Sequence, residues 1–326
     1  MSHDKSISVA MCTYNGEKFL REQLESIAAQ TRIPAELVIC DDRSTDSTAD
    51  IIRKFAESAP FPVRFHINPV NLGGSTKGIT KNFEQASGLC TGDLVAFCDQ
   101  DDVWLPQKLA RMAQTMEKSP HPGGVFSDAR LINDQGVSKG ILLSTTGGMT
   151  RHEQVRFAHG KVLPVLLSMT KVYGCSLMVD AQMLRKVLPV PPHWWFDAWV
   201  ACTVAVYSKL VFIPEPLFLY RIHSTQSVGA SAPTASERLK QWKRSAKGYW
   251  EESEPQLTDL YSRLAADDDP AMNPYLEYLR GRMNLLRFRA ALPSNPLSRA
   301  MKLIPETRNY HRYFNGWKSM IKDLTS

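Results

Sequence analysis

The chain has 326 residues, of which 43% are hydrophobic and 22% are charged, as in ordinary folded proteins. This length allows one large domain or two smaller ones, and the composition excludes a disordered or fibrous protein. Lys and Arg exceed Asp and Glu by 39 to 33, which gives a net charge of +6. No run of 18 or more apolar residues occurs, so the sequence predicts no helix that spans a membrane.

The N-terminal residues and the cysteines both favour a cytoplasmic location. The first five residues lack the apolar core of a signal peptide. The six cysteines are scattered through apolar stretches, and no two of them form a C-x-x-C pair. We therefore expect a cytoplasmic protein whose cysteines are reduced core residues.

The first half of the chain alternates between apolar runs and amphipathic segments. Apolar runs at residues 7–12, 37–40, 63–67 and 94–98 predict strands, and a helical pattern follows each of them. This alternation favours parallel pairing, because each crossover helix covers a face of the sheet. We expect an α/β fold with a mostly parallel, Rossmann-like sheet that binds its ligands beyond the carboxyl ends of the strands.

The second half is less regular. Apolar runs predict strands at residues 125–128, 131–132 and 174–179, and residues 197–206 predict a helix. The Gly- and Thr-rich stretch 136–150 is typical of a mobile loop, and Ser227–Ser236 of a linker. Helical patterns continue to the end, so we predict a catalytic domain at residues 1–229 and a helical C-terminal extension at residues 230–326.

Three carboxylates follow the fourth apolar run. Asp99, Asp101 and Asp102 lie within four residues, where they repel one another unless a cation is present. Hard divalent cations such as Mg²⁺ or Mn²⁺ favour oxygen ligands and bridge carboxylates to phosphate oxygens. The pattern therefore predicts a metal site, although a polar turn with helix-capping aspartates has the same sequence.

A second pair, Asp41 and Asp42, follows the second apolar run. A carboxylate accepts hydrogen bonds from a pyrimidine N–H or a ribose hydroxyl, so this pair suits a nucleotide. Alone it is equally typical of helix capping before Ser44. Two acidic sites at the same edge of one sheet favour a nucleotide.

Four segments, in this order and spacing, resemble the inverting GT-A glycosyltransferases of family 2: VAMCTYNG (9–16), VICDDRSTD (38–46), NLGG (71–74) and DQDDVW (99–104). The resemblance runs from about Ile7 to Gly229 and implies a GT-A fold and a hexosyltransferase of the EC 2.4 class. It also implies site residues. The nucleotide-sugar would contact Thr13, Tyr14, Asn15, Asp41, Asp42 and Asp99. Asp101 would be the principal metal ligand, with Asp99 beside it, and Arg43 stands where many relatives have glycine.

Asp197, in the segment WWFDAW, resembles the catalytic base of this family. A carboxylate in that place would remove the proton from the attacking sugar hydroxyl, which is otherwise a weak nucleophile. The family usually has His or Glu directly before this aspartate, whereas this chain has Phe196. The alternative is an aspartate that only caps the following helix.

Residues 220–223, Tyr-Arg-Ile-His, resemble a segment of transferases that build bacterial surface polysaccharides. The resemblance implies that His223 is a third metal ligand or a diphosphate contact, and that Arg221 lies close to the phosphates. A lone histidine is otherwise a structural residue.

The resemblance as a whole implies an inverting, metal-dependent transferase whose acceptor is a growing O-antigen, lipopolysaccharide or capsule chain on a lipid carrier. The motif forms favour dTDP-rhamnose as donor, with UDP-hexoses as the alternative. Two other classes remain open, a nucleotidyltransferase that makes sugar nucleotides and a non-catalytic nucleic-acid binder. The first would normally have a Gly-rich phosphate loop after the first strand, which residues 13–17 do not supply.

The C-terminal extension is strongly basic, with ten Lys/Arg and one Asp/Glu between Arg280 and Lys322. The segment Arg280–Arg289 mixes basic and apolar residues as interfacial helices do, which favours contact with the inner leaflet of the membrane. We therefore expect a peripheral protein on the cytoplasmic face that binds no nucleic acid. A helical appendage packed on the catalytic domain, with a solvated basic face, is the alternative.

Overall fold

A computed structural model describes residues 4–146, 149–168, 171–224, 226 and 246–325. The chain divides into two compact units, Met1–Ser231 and Ala232–Ser326. The predicted linker, Ser227–Ser236, lies outside the described residues.

The N-terminal unit is a sheet with helices, and its described elements follow in chain order. The strands are β1 (Ile7–Thr13), β2 (Glu36–Asp41), β3 (Val63–Ile67), β4 (Leu94–Cys98), β5 (Val103–Trp104), β6 (Pro122–Ile132), β7 (Ser138–Leu142), β8 (Leu177–Asp180) and β9 (Lys209–Arg221). The helices are α1 (Leu20–Ala28), α2 (Thr48–Ala56), α3 (Thr76–Gly88), α4 (Lys108–Lys118), α5 (Leu143–Thr146), α6 (Arg151–Ala158), α7 (Val162–Leu166), α8 (Ala181–Val187) and α9 (Phe196–Tyr207). A 3-10 turn covers Gly174–Ser176.

The sheet has the strand order β3-β2-β1-β4-β8-β6-β9-β5, and β7 pairs with β6 at the side. Strands β3, β2, β1 and β4 are parallel neighbours, β8 is antiparallel to both β4 and β6, and β9 runs parallel to β6. Six of the nine strands in the described residues therefore share one direction. The predicted α/β fold with a mostly parallel sheet is confirmed.

Burial explains why the parallel strands coincide with the apolar runs of the sequence. All residues of β2 and β4 are buried, as are six of the seven in β1. Leu24, Ile52 and Met112, from the helices α1, α2 and α4, belong to the same core cluster as the strand residues Val9 and Leu37. Strands that are buried on both faces read as continuous hydrophobic runs, which is the pattern that the sequence shows.

The less regular half differs from the prediction. The apolar runs at 125–128 and 131–132 belong to one continuous strand, β6. The prediction of a mobile loop at residues 136–150 is wrong for most of its length, because β7 pairs with β6 and α5 follows directly. The strand β9 has no counterpart in the prediction, since Pro214 and Pro216 interrupt its apolar pattern.

The C-terminal unit is helical, as the sequence predicts. Its helices are α10 (Ala246–Ala265), α11 (Asn273–Ala290), α12 (Pro296–Leu303), α13 (Thr307–Tyr313) and α14 (Trp317–Thr325), with 3-10 turns at Pro270–Met272 and Ile304–Glu306. Its core contains Leu285, Leu303, Tyr310, Tyr313 and Met320. No helix in the described part of the chain has the length and apolar character needed to cross a bilayer.

The segment Arg280–Arg289 contains both buried and exposed basic residues. It forms the second half of α11, in which Arg282 and Arg289 are buried. Arg289 makes a two-bonded ion pair with Asp323, at 2.6 and 2.9 Å, and Arg282 donates to the carbonyl of Tyr313. These two side chains hold the unit together, whereas Arg280 and Arg287 are exposed, so membrane contact through this segment stays a prediction.

The six cysteines form no disulfide, and four of them, Cys40, Cys98, Cys175 and Cys202, are buried. Burial raises the pKa of the Cys40 thiol to about 11 and that of the Cys90 thiol to about 12. These thiols therefore stay protonated and behave as small apolar residues.

Candidate active site

A cavity of about 730 Å³ opens at the carboxyl ends of β1, β2 and β4 in the N-terminal unit. Most of the predicted site residues line it, namely Thr13, Tyr14, Asn15, Asp42, Asp99, Asp101, Asp197 and His223. Asp41 and Arg221 do not line it. The rule that parallel strands collect their polar end residues at one edge explains this convergence.

Asp41 lies behind the cavity lining and fixes the residues that form it. Its carboxylate accepts hydrogen bonds from the hydroxyls of Thr13 and Ser44 and from the backbone N–H of Ser44. The residue is buried, and these bonds tie the end of β1 to the loop after β2. The structure thus gives the predicted nucleotide contact at Asp41 no access to the cavity.

Asp42 lies on the cavity wall and organises the turn at residues 71–74. Its two carboxylate oxygens accept from the backbone N–H groups of Leu72, at 2.7 Å, and Gly73, at 3.2 Å. The side-chain amide of Asn68 donates to the same carboxylate, and Asn71 donates to the Asp42 carbonyl. Two of the four sequence segments are therefore physically coupled.

The Thr13-Tyr14-Asn15-Gly16 segment is held by Gln100. The Gln100 amide donates to the Tyr14 carbonyl and accepts from the Tyr14 N–H, at 3.0 and 2.8 Å. A Cβ atom on Gly16 would lie 2.4 Å from the end of the Gln100 side chain, so a larger residue there would displace Gln100 from its two bonds to Tyr14. The Asn15 side chain accepts from the N–H of Thr45, which anchors the segment on its other side.

Arg43 explains the glycine of the relatives. It has a φ of +60°, in the left-handed region that glycine adopts without strain. Its side chain is exposed and donates to the Pro69 carbonyl. The departure at this position therefore strains the backbone without removing a group from the cavity.

Three acidic side chains cluster after β4, and their pKa values show the strain of that arrangement. Burial, followed by the charge of Asp101, raises the pKa of Asp99 to about 7. The same two causes raise the pKa of Asp102 well above its usual range. One oxygen of the fully buried Asp102 carboxylate has no hydrogen-bond partner. A cluster with this excess of acidic oxygens suits a cation.

The metal ligands that the sequence predicts do not all converge. The Nε2 atom of His223 lies 2.8 Å from Asp101 Oδ2, so these two side chains contact each other. Among the described residues, the group that brings its ligand atoms within 4.8 Å of one another is Asp99, Asp102 and Cys175. The buried ammonium of Lys108 donates to the Cys175 carbonyl beside that group. The ammonium and the thiol make this inner group a poor cation site, since hard cations prefer oxygen ligands.

Arg221 does not reach the cavity. Its side chain is 1% exposed and makes an ion pair with Glu22. It donates further to the carbonyls of Asp101, Asn133 and Asp134. With these acceptors around it, the guanidinium has no free face for a phosphate, so the prediction of a phosphate contact is not supported by this geometry.

Asp197 lies across the cavity from β1, in the first turn of α9. It does not cap that helix, since Trp195 occupies the capping position. Its carboxylate accepts from the N–H groups of Ala198, at 2.7 Å, and Gly174, at 3.1 Å. Burial nevertheless raises its pKa to about 6, because it outweighs these two bonds. A carboxylate with this pKa can accept a proton near neutral pH.

Phe196 fills the place where relatives have His or Glu. Its ring stacks on Phe83, with centroids 5.5 Å apart, and meets the edge of Phe97 at 4.8 Å. These contacts fix the start of α9, and with it the position of Asp197. In this chain the residue before Asp197 is therefore held by aromatic packing rather than by polar contacts.

Sequence reasoning did not predict the contacts of four side chains that build the site. Gln100 holds the Tyr14 segment, Glu22 pairs with Arg221, and Lys108 lies under the acidic cluster. Phe19 lies between Arg221 and His223, at 4.7 Å from each. These contacts join residues that are far apart in the chain, so no local sequence pattern predicts them.

Comparison with known proteins identifies the family. Residues 8–160 match the family Glycosyl transferase family 2. A dTDP-rhamnosyl transferase, RfbG of Shigella flexneri, is 35% identical over 237 residues, which cover 68% of this chain and 74% of that protein. This level of identity over most of both chains shows common family membership.

Two solved structures share the fold. One is TarS 1-349 of S. aureus in complex with UDP-GlcNAc, with a TM-score of 0.58, 16% identity, and coverage of 98% of this chain and 81% of that one. The other is the mannosyltransferase PcManGT of Pyrobaculum calidifontis in complex with GDP-Man and Mn²⁺, with a TM-score of 0.51, 18% identity, and coverage of 99% and 86%. Both are GT-A glycosyltransferases. The family match and the rhamnosyl transferase relative show that the chain belongs to glycosyltransferase family 2, and it is therefore neither of the two other classes that the sequence alone left open.

Proposed function

We propose that this glycosyltransferase moves a sugar from a nucleotide-sugar to an acceptor hydroxyl with inversion at the anomeric carbon. One observation carries the proposal. A single cavity holds Asp99 and Asp101 at the end of β4 and Asp197 on α9, a separate element. The first two suit a charged diphosphate with its cation, and the third suits a hydroxyl that must lose a proton.

Asp197 is the base in this scheme. The acceptor oxygen attacks the anomeric carbon while its proton passes to the Asp197 carboxylate, and the bond from that carbon to the diphosphate oxygen breaks. Attack from the face opposite to the leaving group inverts the configuration. No covalent bond to the protein forms, so the cavity needs no nucleophile of its own.

The residues present fit a divalent cation. Asp99 and Asp101 line the cavity, and burial together with the charge of Asp101 raises the pKa values of Asp99 and Asp102. Asp101 and His223, whose side chains contact each other, would hold Mg²⁺ or Mn²⁺, and Asp99, which lines the same cavity, would turn towards the ion to complete the set. When bound, the ion would neutralise charge on the departing diphosphate. The mannosyltransferase with the same fold was solved with Mn²⁺, which supports this choice of cofactor.

The donor we propose is dTDP-rhamnose, with a UDP-hexose as the alternative. The rhamnosyl transferase at 35% identity supports the first, and the UDP-GlcNAc complex of the same fold supports a pyrimidine nucleotide. Thr13, Tyr14, Asn15 and Asp42, which line the cavity near the end of β1, would contact the nucleoside. Asp41 would act through Thr13 rather than directly.

The acceptor we propose is a growing bacterial surface polysaccharide, such as O-antigen, lipopolysaccharide or capsule, on a lipid carrier. Such an acceptor requires the enzyme to work at the cytoplasmic face of the inner membrane. The aromatic side chains of Trp195, Tyr173 and Tyr220 line the cavity together with Asp197, and flat apolar surfaces of this kind pack well against sugar rings.

A panel of nucleotide-sugars tests the proposal. The purified chain is incubated with dTDP-rhamnose, UDP-glucose, UDP-galactose, UDP-GlcNAc and GDP-mannose, each with Mn²⁺, Mg²⁺ or EDTA, and nucleotide release is measured. We expect metal-dependent release from one pyrimidine donor. The variant Asp101→Ala should weaken metal-dependent donor binding in calorimetry. Equal release with EDTA and with Mn²⁺ would remove the metal from the scheme, and release from GDP-mannose alone would overturn the donor.

A further inference from the structure

Two helices of the C-terminal unit carry apolar stripes that face solvent. On α12 and the 3-10 turn that continues it, Leu297, Met301 and Ile304 are 73%, 68% and 69% exposed. On α14, Trp317 and Ile321 are each 58% exposed, and Leu324 is 39% exposed. Each set has the spacing i, i+4, i+7, so each forms one stripe along its helix. Large apolar side chains collected in this way mark a binding surface.

The stripes are not the parts of these helices that stabilise the unit. The two helices also contribute Leu303 and Met320 to the core. The two helices are in contact, and Arg299 on the first donates to the carbonyl of Asp323 on the second. None of the six exposed side chains belongs to that core. They are therefore available to a partner.

The charges beside the stripes are positive. Lys302 follows Met301 and Lys318 follows Trp317, and both lysines are exposed. The sequence of α12 contains no acidic residue, and Glu306, in the 3-10 turn that continues it, accepts a hydrogen bond from Asn309. Asp323, the acidic residue of α14, is buried in its ion pair with Arg289. A partner of this surface therefore combines an apolar layer with negative charge.

We propose that these two stripes, Leu297-Met301-Ile304 and Trp317-Ile321-Leu324, bind the surface of an anionic lipid membrane. The apolar side chains enter the boundary between headgroups and acyl chains, and the lysines contact the phosphates. Tryptophan favours this boundary, because its ring is apolar and its N–H finds a polar partner there. The site differs from the segment Arg280–Arg289, in which two of the four arginines, Arg282 and Arg289, are buried.

A second copy of the chain fits the surface less well. Two such surfaces face to face would bring Lys302 and Lys318 of one copy close to the same lysines of the other. Like charges across an interface oppose association. An anionic bilayer supplies both the apolar layer and the opposite charge.

The inference deepens the proposed function, since it supplies the membrane at which a lipid-linked acceptor would be met. Vesicle flotation of the full chain tests it without donor or acceptor. Phosphatidylcholine vesicles with and without phosphatidylglycerol are compared at low and high salt. We expect binding to the anionic vesicles and its loss at high salt. The double variants Trp317→Ser/Ile321→Ser and Lys302→Glu/Lys318→Glu should each reduce binding roughly tenfold or more.

The matched control removes exposed apolar side chains from the other unit. Ile33→Ser/Val155→Ser changes residues that are 48% and 53% exposed, and it should bind vesicles as the parent chain does. Circular dichroism checks that each variant is folded. Nucleotide release in solution should be unchanged in all of them, so a failure of vesicle binding is distinguishable from a failure of the proposed reaction. Equal binding by Trp317→Ser/Ile321→Ser and by the parent chain would overturn the inference, as would a salt-independent dimer that this variant dissociates.

Discussion

The guanidinium of Arg221 joins four parts of the chain that are distant in sequence. It bonds Glu22 on α1, the carbonyl of Asp101 after β4, and the carbonyls of Asn133 and Asp134 after β6. The backbone N–H of the same residue donates to Asp102 Oδ1 at 3.0 Å. Arg221 thus holds the acidic loop from behind, and His223, two residues later, contacts the Asp101 carboxylate from the cavity side.

The variant Arg221→Lys should disturb the acidic loop, because lysine cannot reproduce the planar fork that reaches several acceptors at once. We expect weaker Mn²⁺ binding in calorimetry without any nucleotide, by roughly tenfold, since a change in ligand-orienting partners typically costs 10- to 100-fold in affinity. A direct phosphate contact predicts a different result, namely unchanged Mn²⁺ binding and a loss in donor affinity alone. Arg32→Lys is the matched control, since Arg32 also bonds a carbonyl and a carboxylate but lies outside the cavity lining.

Asp197 should impose a pH dependence on the rate. Its pKa of about 6 means that it is mostly protonated below that pH, and a protonated carboxylic acid cannot accept the acceptor proton. We expect kcat/KM to fall tenfold per pH unit below about 6 and to level off above it. Saturating Mn²⁺ keeps Asp99 ionised during the measurement. An ordinary aspartate would level off near pH 4 instead, so a profile that is flat from 5 to 8 would contradict the assignment.

Asp197→Asn complements the pH profile. We expect a loss of about 10²- to 10⁴-fold in rate, the usual contribution of a general base, with donor binding retained. Asp180→Asn is its control, because Asp180 also accepts two backbone N–H groups, those of Gln182 and Met183, at the start of a helix outside the cavity lining. Equal losses in both variants would mean that Asp197 acts only on the fold.

At the scale of elements, the two halves of the sheet differ in how far the sequence predicts them. The strands β1, β2 and β4 are local apolar runs that end in polar residues, so both the fold and the polar side chains at these strand ends follow from the sequence. The strand β9 is different. Pro216 pairs with Asp128 where the register between β6 and β9 shifts, and that irregularity accommodates a residue that cannot donate to a neighbour.

The same difference explains which site residues could be predicted from the sequence. Asp99 and Asp101 are predictable because their signal is three acids at the end of one strand. The burial of Arg221 is not, because it depends on the long pairing of β9 with β6 and on α1. Local sequence patterns identify candidate site residues, whereas long-range packing determines which of these side chains line the cavity.

The turn at residues 71–74 depends on one carboxylate of another element, and Asp42→Asn tests that dependence. Asparagine offers one acceptor oxygen where Asp42 offers two, so the N–H of Leu72 or of Gly73 loses its partner. We expect faster hydrogen exchange in residues 71–74 and a loss of about 1–3 kcal/mol in the free energy of unfolding. Asp93→Asn is the control, since its exposed carboxylate bonds Ser6 at a distance from the cavity lining. Unchanged exchange in this turn would show that other contacts hold it.

At the scale of the whole molecule, the chain forms two compact units, and each has a core of its own. The cavity residues with chemical roles belong to the first unit, and the exposed apolar stripes belong to the second. We therefore expect donor binding to depend on the stability of the first unit only. With a domain boundary near residue 230, as we propose, each unit should unfold separately.

Asp323→Ala tests the division. Asp323 is 3% exposed and bonds both Arg289 and Tyr310, so its loss leaves a buried arginine without its counter-charge. Breaking such a pair costs about 3–5 kcal/mol, and calorimetry should show a lower melting temperature for one transition. Glu277→Ala removes the partner of Arg312 in an exposed pair of the same unit and should cost about 0–1 kcal/mol. Saturating UDP or dTDP with Mn²⁺ should raise the melting temperature of the N-terminal unit, since a ligand stabilises only what it binds. The melting temperature of the C-terminal unit, which contains the Asp323→Ala substitution, should not change. A single transition that both the substitution and the nucleotide shift would mean that the two units unfold together.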